Sequence, residues 1–150
     1  MTTRRLVKTV SFPARSKPHM LRVSPDGKEV WVQTVGANTN VVLNADDLSV
    51  LATSPTGKSP VTNAWTPDRR YSIVTNGQDT FAQVFDARTF KEVTRLTIGP
   101  GGSNIGFSKD GRTAFIAASG ANAVAVIDVE KLAPAGQIRT GVAPQGLIVR

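Results

Sequence analysis

The sequence repeats itself with a period of 42 residues, without an insertion or deletion between the copies. Proline or glycine recurs at one position of each copy, aspartate at a second, asparagine or aspartate at a third and glycine at a fourth. The recurring residues are Pro18, Pro60, Gly102 and Pro144; Asp26, Asp68 and Asp110; Asn44, Asp86 and Asp128; and Gly57, Gly99 and Gly141. Such regularity predicts a repeat architecture, in which each unit buries its apolar faces against its neighbours.

Each repeat contains four segments with the composition of β-strands. In the middle repeat the pattern predicts strands at 63–66, 71–75, 80–85 and 92–98. The second and third are apolar on both faces, which is typical of a sheet packed between two others, while the fourth alternates polar and apolar residues as a half-exposed outer strand does. Four-stranded units of about 40 to 50 residues are typical of β-propeller blades, so the sequence predicts an all-β fold.

The period divides the chain into three complete repeats, each expected to form one blade. The repeats are 18–59, 60–101 and 102–143. A closed propeller ring has about four to eight blades. We therefore expect residues 1–150 to form a single propeller segment, either part of a longer ring or a chain that closes by association with another copy.

The flanks of the three repeats continue the same period. Residues 1–17 align with the outer strand of a preceding blade, because Phe12 stands where Leu96 stands in the middle repeat, and 144–150 align with the first strand of a following blade. We expect one extra strand at each end of the segment. The first and last blades then expose apolar faces, which predicts self-association.

The turn after the first strand of each repeat has a short signature. It reads Ser-Pro-Asp-Gly at 24–27, Thr-Pro-Asp-Arg at 66–69 and Ser-Lys-Asp-Gly at 108–111. Asp-Gly supplies the positive φ of a tight hairpin at little cost, whereas arginine does not. Arg69 therefore predicts a strained or differently shaped turn in the middle repeat.

Several of these stretches resemble the YVTN family of β-propeller repeats. The matching residues are Pro18-His19, Ser24 to Gly27, Tyr71-Ser-Ile-Val-Thr-Asn76 and Val126-Ile-Asp128. The resemblance covers 18–150, with departures such as the missing Pro-His pair at 102–104. It implies a periplasmic or extracellular protein, although the first residues lack the apolar core of a signal peptide. Haem d1 domains and amine dehydrogenase heavy chains also resemble this family, so a propeller subunit or domain of a periplasmic oxidoreductase is one alternative function.

The net charge of +7 raises a nucleic-acid-binding propeller as a second alternative. Much of the excess positive charge lies before residue 18, where no acidic residue occurs. In the remaining repeats the positive and negative charges nearly balance. The bases of this segment are Arg4, Arg5, Lys8, Arg15 and Lys17. Nucleic-acid binding needs these residues to lie on one face together with other basic side chains. The other interpretation is a solvated outer strand whose charge prevents it from pairing with the strands of other molecules. No stretch is long and apolar enough to predict a membrane span.

Catalytic and metal-binding patterns are sparse. His19 is the single histidine and cysteine is absent, so one chain cannot assemble a site from several imidazoles or thiolates. We expect His19 to be a turn residue that bonds the backbone of a neighbouring blade; the alternative is a cofactor or metal ligand completed by other blades. The aspartates of the hairpins and strand ends are interpreted as turn elements. The prediction is a chain with no catalytic residues, no metal and no cofactor of its own.

A ligand site is expected on the loops that enter first strands and the loops between second and third strands, because both face the same rim. Polar amides are frequent there, which suits hydrogen-bonded recognition better than acid–base chemistry. The candidate residues are Lys17, His19, Asn38, Lys58, Asn76, Asp79, Asn104, Asn122 and Gln145. The predicted function is a non-catalytic binding or interaction module, whose partner is a protein or a small molecule at the loop face.

Overall fold

The computed structural model describes residues 5–149, which form three antiparallel four-stranded sheets. In each sheet the strands follow one another in chain order. The first sheet, blade 1, contains β1 (Pro18–Val23), β2 (Glu29–Thr34), β3 (Thr39–Asn44) and β4 (Val50–Pro55). This architecture confirms the predicted all-β fold of four-stranded blades.

The other two sheets repeat the same meander. Blade 2 contains β5 (Pro60–Trp65), β6 (Tyr71–Asn76), β7 (Phe81–Asp86) and β8 (Glu92–Thr97). Blade 3 contains β9 (Gly102–Phe107), β10 (Thr113–Ala118), β11 (Ala123–Asp128) and β12 (Ala133–Arg139). Within the described part of the chain a single turn of 3-10 helix, Ser119–Ala121, interrupts the strands, and no helix there is long and apolar enough to cross a membrane.

The first strand of each blade begins earlier than the sequence pattern indicated. In blade 2 it begins at Pro60, whereas the pattern placed its start at residue 63. The pairing of β5 with β6 shifts register between Pro60 and Asn63, and this β-bulge lets the strand include the proline at its start. A first strand has a sheet neighbour on one side only, so proline, which lacks an N–H, is tolerated at its start.

Most of the core lies at the two interfaces between the blades. Trp31 is fully buried between blades 1 and 2, where its ring meets Trp65 edge-on at 5.7 Å and Phe85 at 6.3 Å between centroids. The interface of blades 2 and 3 is aliphatic and includes Ile73 and Ile116, both with no exposed surface. Trp31 and the partly buried Trp65 thus belong to one apolar cluster between blades 1 and 2.

The flanking segments lie against the outer faces of the end blades without forming strands. Val10 and Phe12 pack on the face of blade 1 that points away from blade 2. Leu147 lies beside Gly106 of β9, where a first strand of a following blade would run. Their assignment to neighbouring blades stays a prediction, and part of it, at 1–4 and 150, lies outside the described residues.

The strand directions give every blade two distinct ends. The hairpins that join the first to the second strand and the third to the fourth lie at one end, here named the turn end. The loops that join the second to the third strand, and the connectors between blades, lie at the other, here named the loop end. At the turn end Gly27, Arg69 and Gly111 share φ values of 76°, 59° and 74°. Arg69 therefore adopts the same turn as the glycines, in the left-handed region that non-glycine residues disfavour.

Candidate functional site

Loops and connectors meet at the loop end of each blade through backbone hydrogen bonds. The N–H of Val35 donates to the carbonyl of Lys17 at 3.1 Å, and the N–H of Gln78 donates to the carbonyl of Lys58 at 3.2 Å. In blade 3 the loop after β10 bonds the preceding connector in the same way. The two sets of loops that the sequence placed on one rim are adjacent in the structure.

Three of the candidate side chains brace these connectors. The Oδ1 atom of Asn38 accepts the N–H of Ser59 at 2.9 Å, and Oδ1 of Asn122 accepts the N–H of Ala143 at 3.0 Å. Both asparagines have positive φ, 54° and 51°, a conformation that asparagine tolerates well. The carboxylate of Asp79 likewise accepts the N–H of Lys58. These side chains hold the connectors in place, because their oxygen atoms already accept hydrogen bonds from connector N–H groups.

Asn76 is interior, although the sequence placed it in a rim loop. It is the last residue of β6 and has no exposed surface. Its Nδ2 atom donates to the carbonyl of Phe81 and to Oε1 of Gln83, each at 3.3 Å. The strand extends one residue further than predicted, and this carries the side chain into the interface of blades 1 and 2.

A groove runs along the first strands of the three blades, on the side that faces away from the second strands. It is lined by the second and third residues of successive first strands, by the fifth residue of β1 and by one flank residue. The lining residues are His19, Met20, Arg22, Val61, Thr62, Ser103, Asn104 and Gln145. His19 and Asn104 lie within β1 and β9 and not in turns, because these strands start at Pro18 and Gly102.

Contacts across the groove tie blade 1 to blade 2 and blade 3 to the flank. Nδ1 of His19 lies 3.3 Å from the carbonyl oxygen of Val61, the residue one period later. The hydroxyl of Ser103 donates to the carbonyl of Gln145 at 3.0 Å, again one period later. His19 thus makes the contact with a neighbouring blade's backbone that the sequence analysis expected of it.

The groove offers hydrogen-bond donors and no carboxylate. The guanidinium of Arg22 donates through Nε to the hydroxyl of Thr62 at 3.2 Å. Oδ1 of Asn104 accepts the N–H of Ile105 at 2.9 Å, which leaves the amide hydrogens of Nδ2 as donors. Within residues 5–149, no three side chains of the His, Cys, Asp and Glu types come together as a metal site. The chemistry of the groove is recognition by hydrogen bonds.

Of the nine candidate residues, His19, Asn104 and Gln145 line this groove. Lys17, which directly precedes β1, and Lys58, in the connector between β4 and β5, are exposed and do not line it. Arg22 was missed as a site residue, although one signal for it was present. The equivalent positions of the other repeats hold Ala64, Gly106 and Ile148, so a charged residue there departs from the repeat.

Two further grooves open at the turn end, between neighbouring blades. They are lined by hairpin residues that include Asp26, Asp68 and Asp110. Each of these carboxylates already accepts a hydroxyl hydrogen bond inside its own turn, from Ser24, Thr66 and Ser108 respectively. The turns satisfy these polar groups, so the turn-end grooves are weaker candidates for a ligand site than the loop-end groove.

No protein-family model matches the chain, and no curated protein matches it. Solved structures do resemble it. Hydrazine synthase of Kuenenia stuttgartiensis superposes with a TM-score of 0.83 and 26% identity, over 95% of this chain and 41% of that one. Dihydro-heme d1 dehydrogenase NirN, in complex with DHE, superposes with a TM-score of 0.70 and 17% identity, over 79% of this chain and 27% of that one. The WD40 repeats of RRP9 superpose with a TM-score of 0.76 and 12% identity, over 85% of this chain and 40% of that one.

The chain therefore spans less than half the length of each of these structures. WD40 repeats are β-propeller blades. The match to them extends over most of this chain and agrees with its three four-stranded sheets, each packed face to face on the next. The three sheets of this chain are β-propeller blades.

Proposed function

We propose that this chain is a non-catalytic binding module, with its ligand site in the loop-end groove. One observation carries the proposal: equivalent positions of three successive first strands, with Gln145 of the flank, line a single groove. Its donors come from a guanidinium, hydroxyls and amides, and no carboxylate there is available as a general acid or base. The partner is a small molecule or a protein segment that enters the groove from the loop end.

The resemblance of the repeat unit to the YVTN family supports this proposal. Tyr71-Ser-Ile-Val-Thr-Asn76 forms β6 and Val126-Ile-Asp128 ends β11, so these two family-like stretches lie in second and third strands, whereas Pro18-His19 lies in β1 and not in a turn. We include YVTN membership in the proposal, and with it a periplasmic or extracellular location. Fold alone fixes neither, because propellers host unrelated activities.

A thermal-shift screen of small polar compounds and short peptides tests the binding function. Asn104→Ala removes an amide from the groove, and Gln78→Ala removes one from an exposed loop-end position outside it. We expect at least one compound to raise the melting temperature of the wild type and of Gln78→Ala but not of Asn104→Ala. Stabilising compounds that act equally on both variants would contradict the assignment of the groove.

A second candidate function is the propeller part of an oxidoreductase. The likeness to hydrazine synthase favours it, at 26% identity along nearly the whole chain, as does the fold shared with a dihydro-heme d1 dehydrogenase. His19 is the imidazole that this chain can offer to a redox cofactor, and it is exposed in the groove.

The change His19→Asn separates the two candidates. An amide can replace the imidazole in a hydrogen bond to the Val61 carbonyl, but it is a poor ligand for a transition metal. For a binding module we expect no visible absorption band in the purified chain, and the variant should keep its fold and its thermal-shift response. An absorption band or stoichiometric metal that disappears in His19→Asn would favour the oxidoreductase.

A further inference from the structure

The acids of this chain are sorted to one end of the blades. Every aspartate and glutamate except Asp79 lies in a turn-end hairpin or at the strand terminus that adjoins one. These acids are Asp26, Glu29, Asp46, Asp47, Asp68, Asp86, Glu92, Asp110, Asp128 and Glu130. The cause is local for many of them, because an aspartate in such a turn accepts the hydrogen bonds that shape it.

The bases are present at both ends, so the loop end keeps an excess of positive charge. Arg15, Lys17, Lys58 and Arg139 lie there and are exposed. Within residues 5–149 none of these four side chains forms an ion pair; the pairs found there are Arg95 with Glu92 and Lys131 with Asp128. Asp79, the one acid at the loop end, is engaged by the backbone of the connector.

The groove itself contains a positive charge without a counter-charge. Arg22 lines it and is held by its Nε hydrogen bond to Thr62, while no aspartate or glutamate is among the lining residues. A guanidinium held in this way forms charge-assisted hydrogen bonds to carboxylate or phosphate oxygens, which are stronger than bonds between neutral groups. The surrounding loop-end bases attract anions toward the same mouth.

We infer that the ligand of the loop-end groove is a small organic anion, whose carboxylate or phosphate group pairs with Arg22. This inference rests on the proposed function and specifies its ligand. The groove is small, about 180 Å³, and no phenylalanine, tyrosine or tryptophan lines it. It therefore lacks the stacking platform that single-stranded nucleic acids use.

Titration calorimetry at low ionic strength tests the inference, with citrate as the carboxylate probe and inorganic phosphate as the phosphate probe. Arg22→Gln removes the charge in the groove. Lys17→Gln with Lys58→Gln removes two charges at the loop end, and Lys28→Gln with Lys109→Gln removes two exposed charges at the turn end as the matched control. A single-stranded oligonucleotide is titrated in parallel.

We expect one of the two small anions to bind, with affinity about five- to tenfold weaker in Arg22→Gln and in the loop-end double variant, and unchanged in the turn-end double variant. Equal weakening in both double variants would overturn the inference, because it would reflect net charge alone. Binding of the oligonucleotide without either small anion would also overturn it.

The failure of the inference and the failure of the proposed function give different results. If neither anion binds, but a neutral compound from the thermal-shift screen is lost in Asn104→Ala, the groove is a binding site and its ligand is not an anion. If citrate or phosphate binds and Asn104→Ala and Arg22→Gln leave both affinities unchanged, the anion binds outside the groove and the inference fails. The proposed function fails as well if no compound of the thermal-shift screen loses its effect in Asn104→Ala.

Discussion

Ile138 on β12 has 51% of its surface exposed, whereas Leu96, the residue one repeat earlier on β8, is fully buried between blades 2 and 3. The two residues occupy equivalent positions in their sheets, so the difference comes from what covers them. Leu96 is covered by blade 3, while Ile138 lines an apolar groove with Phe115, Val124 and the flank residues near Leu147. The outer face of blade 3 has the composition of an interface between blades.

This exposed face should make the chain self-associate. We expect sedimentation at micromolar concentration to show oligomers of the wild type, and Ile138→Lys to shift the distribution toward monomer, because a lysine disfavours contact at an apolar face. Val93→Lys is the matched control, since Val93 is similarly exposed on the outer strand of blade 2 but lies outside this groove. A wild type that sediments as a monomer at these concentrations would exclude the prediction.

The hairpin glycines should be more sensitive than the arginine that replaces one of them. Gly27→Val and Gly111→Val should each lower the free energy of unfolding by about 1–3 kcal/mol, because a β-branched residue disfavours positive φ. Gly111→Val should cost more, since a Cβ there would lie 3.0 Å from the Pro67 ring, whereas nothing lies within 4 Å at Gly27.

Arg69→Gly should stabilise the chain by about 0.5–1 kcal/mol, because Arg69 has the φ of the glycines without their freedom. Chemical denaturation of the three variants measures these differences. Equal losses at all three positions would mean that the turns are not equivalent.

The turn-end aspartates should make stability depend on pH in the acid range. The Ser24 hydroxyl and the Lys28 N–H bond the carboxyl of Asp26 and lower its pKa, and Ser108 and Arg112 do the same for Asp110. A carboxyl with a lowered folded-state pKa contributes stability above its unfolded pKa of about 4, and this is lost as the pH falls through the folded value.

We therefore expect Asp26→Asn with Asp110→Asn to be less stable than the wild type at pH 7 and less sensitive to acid below about pH 4. Asp46→Asn is the control, because the Asp46 carboxylate accepts no hydrogen bond from the described residues. Denaturation curves from pH 7 to pH 2 measure the effect. Parallel pH profiles for the wild type and the double variant would contradict it.

Gln83 should be the most sensitive amide of the interface between blades 1 and 2. It is buried, its Oε1 accepts the N–H of Gly57 at 2.7 Å, and its Nε2 donates to Glu92 at 2.7 Å. Gln83→Leu leaves these partners unsatisfied, so the free energy of unfolding should fall by about 1–3 kcal/mol. Gln78→Leu, at an exposed position, should change it little. Similar losses in the two variants would show that the Gln83 contacts contribute little.

The sequence was sufficient to predict the blades, because strand periodicity and turn chemistry recur with the repeat. It was insufficient for the interface of blades 1 and 2, because the second strands were interpreted as apolar on both faces and no buried polar residue was expected from the first strands. Gln33 and Asn63 are both fully buried there, and Nε2 of Gln33 lies 3.3 Å from Oδ1 of Asn63 in the neighbouring blade. Pairing between blades depends on how the sheets stack, which no single repeat reveals.

The candidate site was predicted in part for a similar reason. Asn38 and Asn122 have the polarity of ligand-binding residues, but their amides are used to hold the connectors. His19 and Asn104 were found from sequence because they lie near the starts of the first strands. Arg22 was overlooked because it lies deeper in its strand, and only its side chain brings it to Thr62.

Mapping of a bound ligand by backbone amide chemical shifts tests the central claim most directly, namely that the loop-end groove is the binding site. The compound that stabilises the chain most in the thermal-shift screen is titrated into ¹⁵N-labelled Ile138→Lys protein. The account predicts the largest shifts at His19, Thr62, Asn104 and Gln145, with little change at the turn-end hairpins. Shifts concentrated at the hairpins around Asp26 and Asp68, or on the outer face of blade 3, would contradict it.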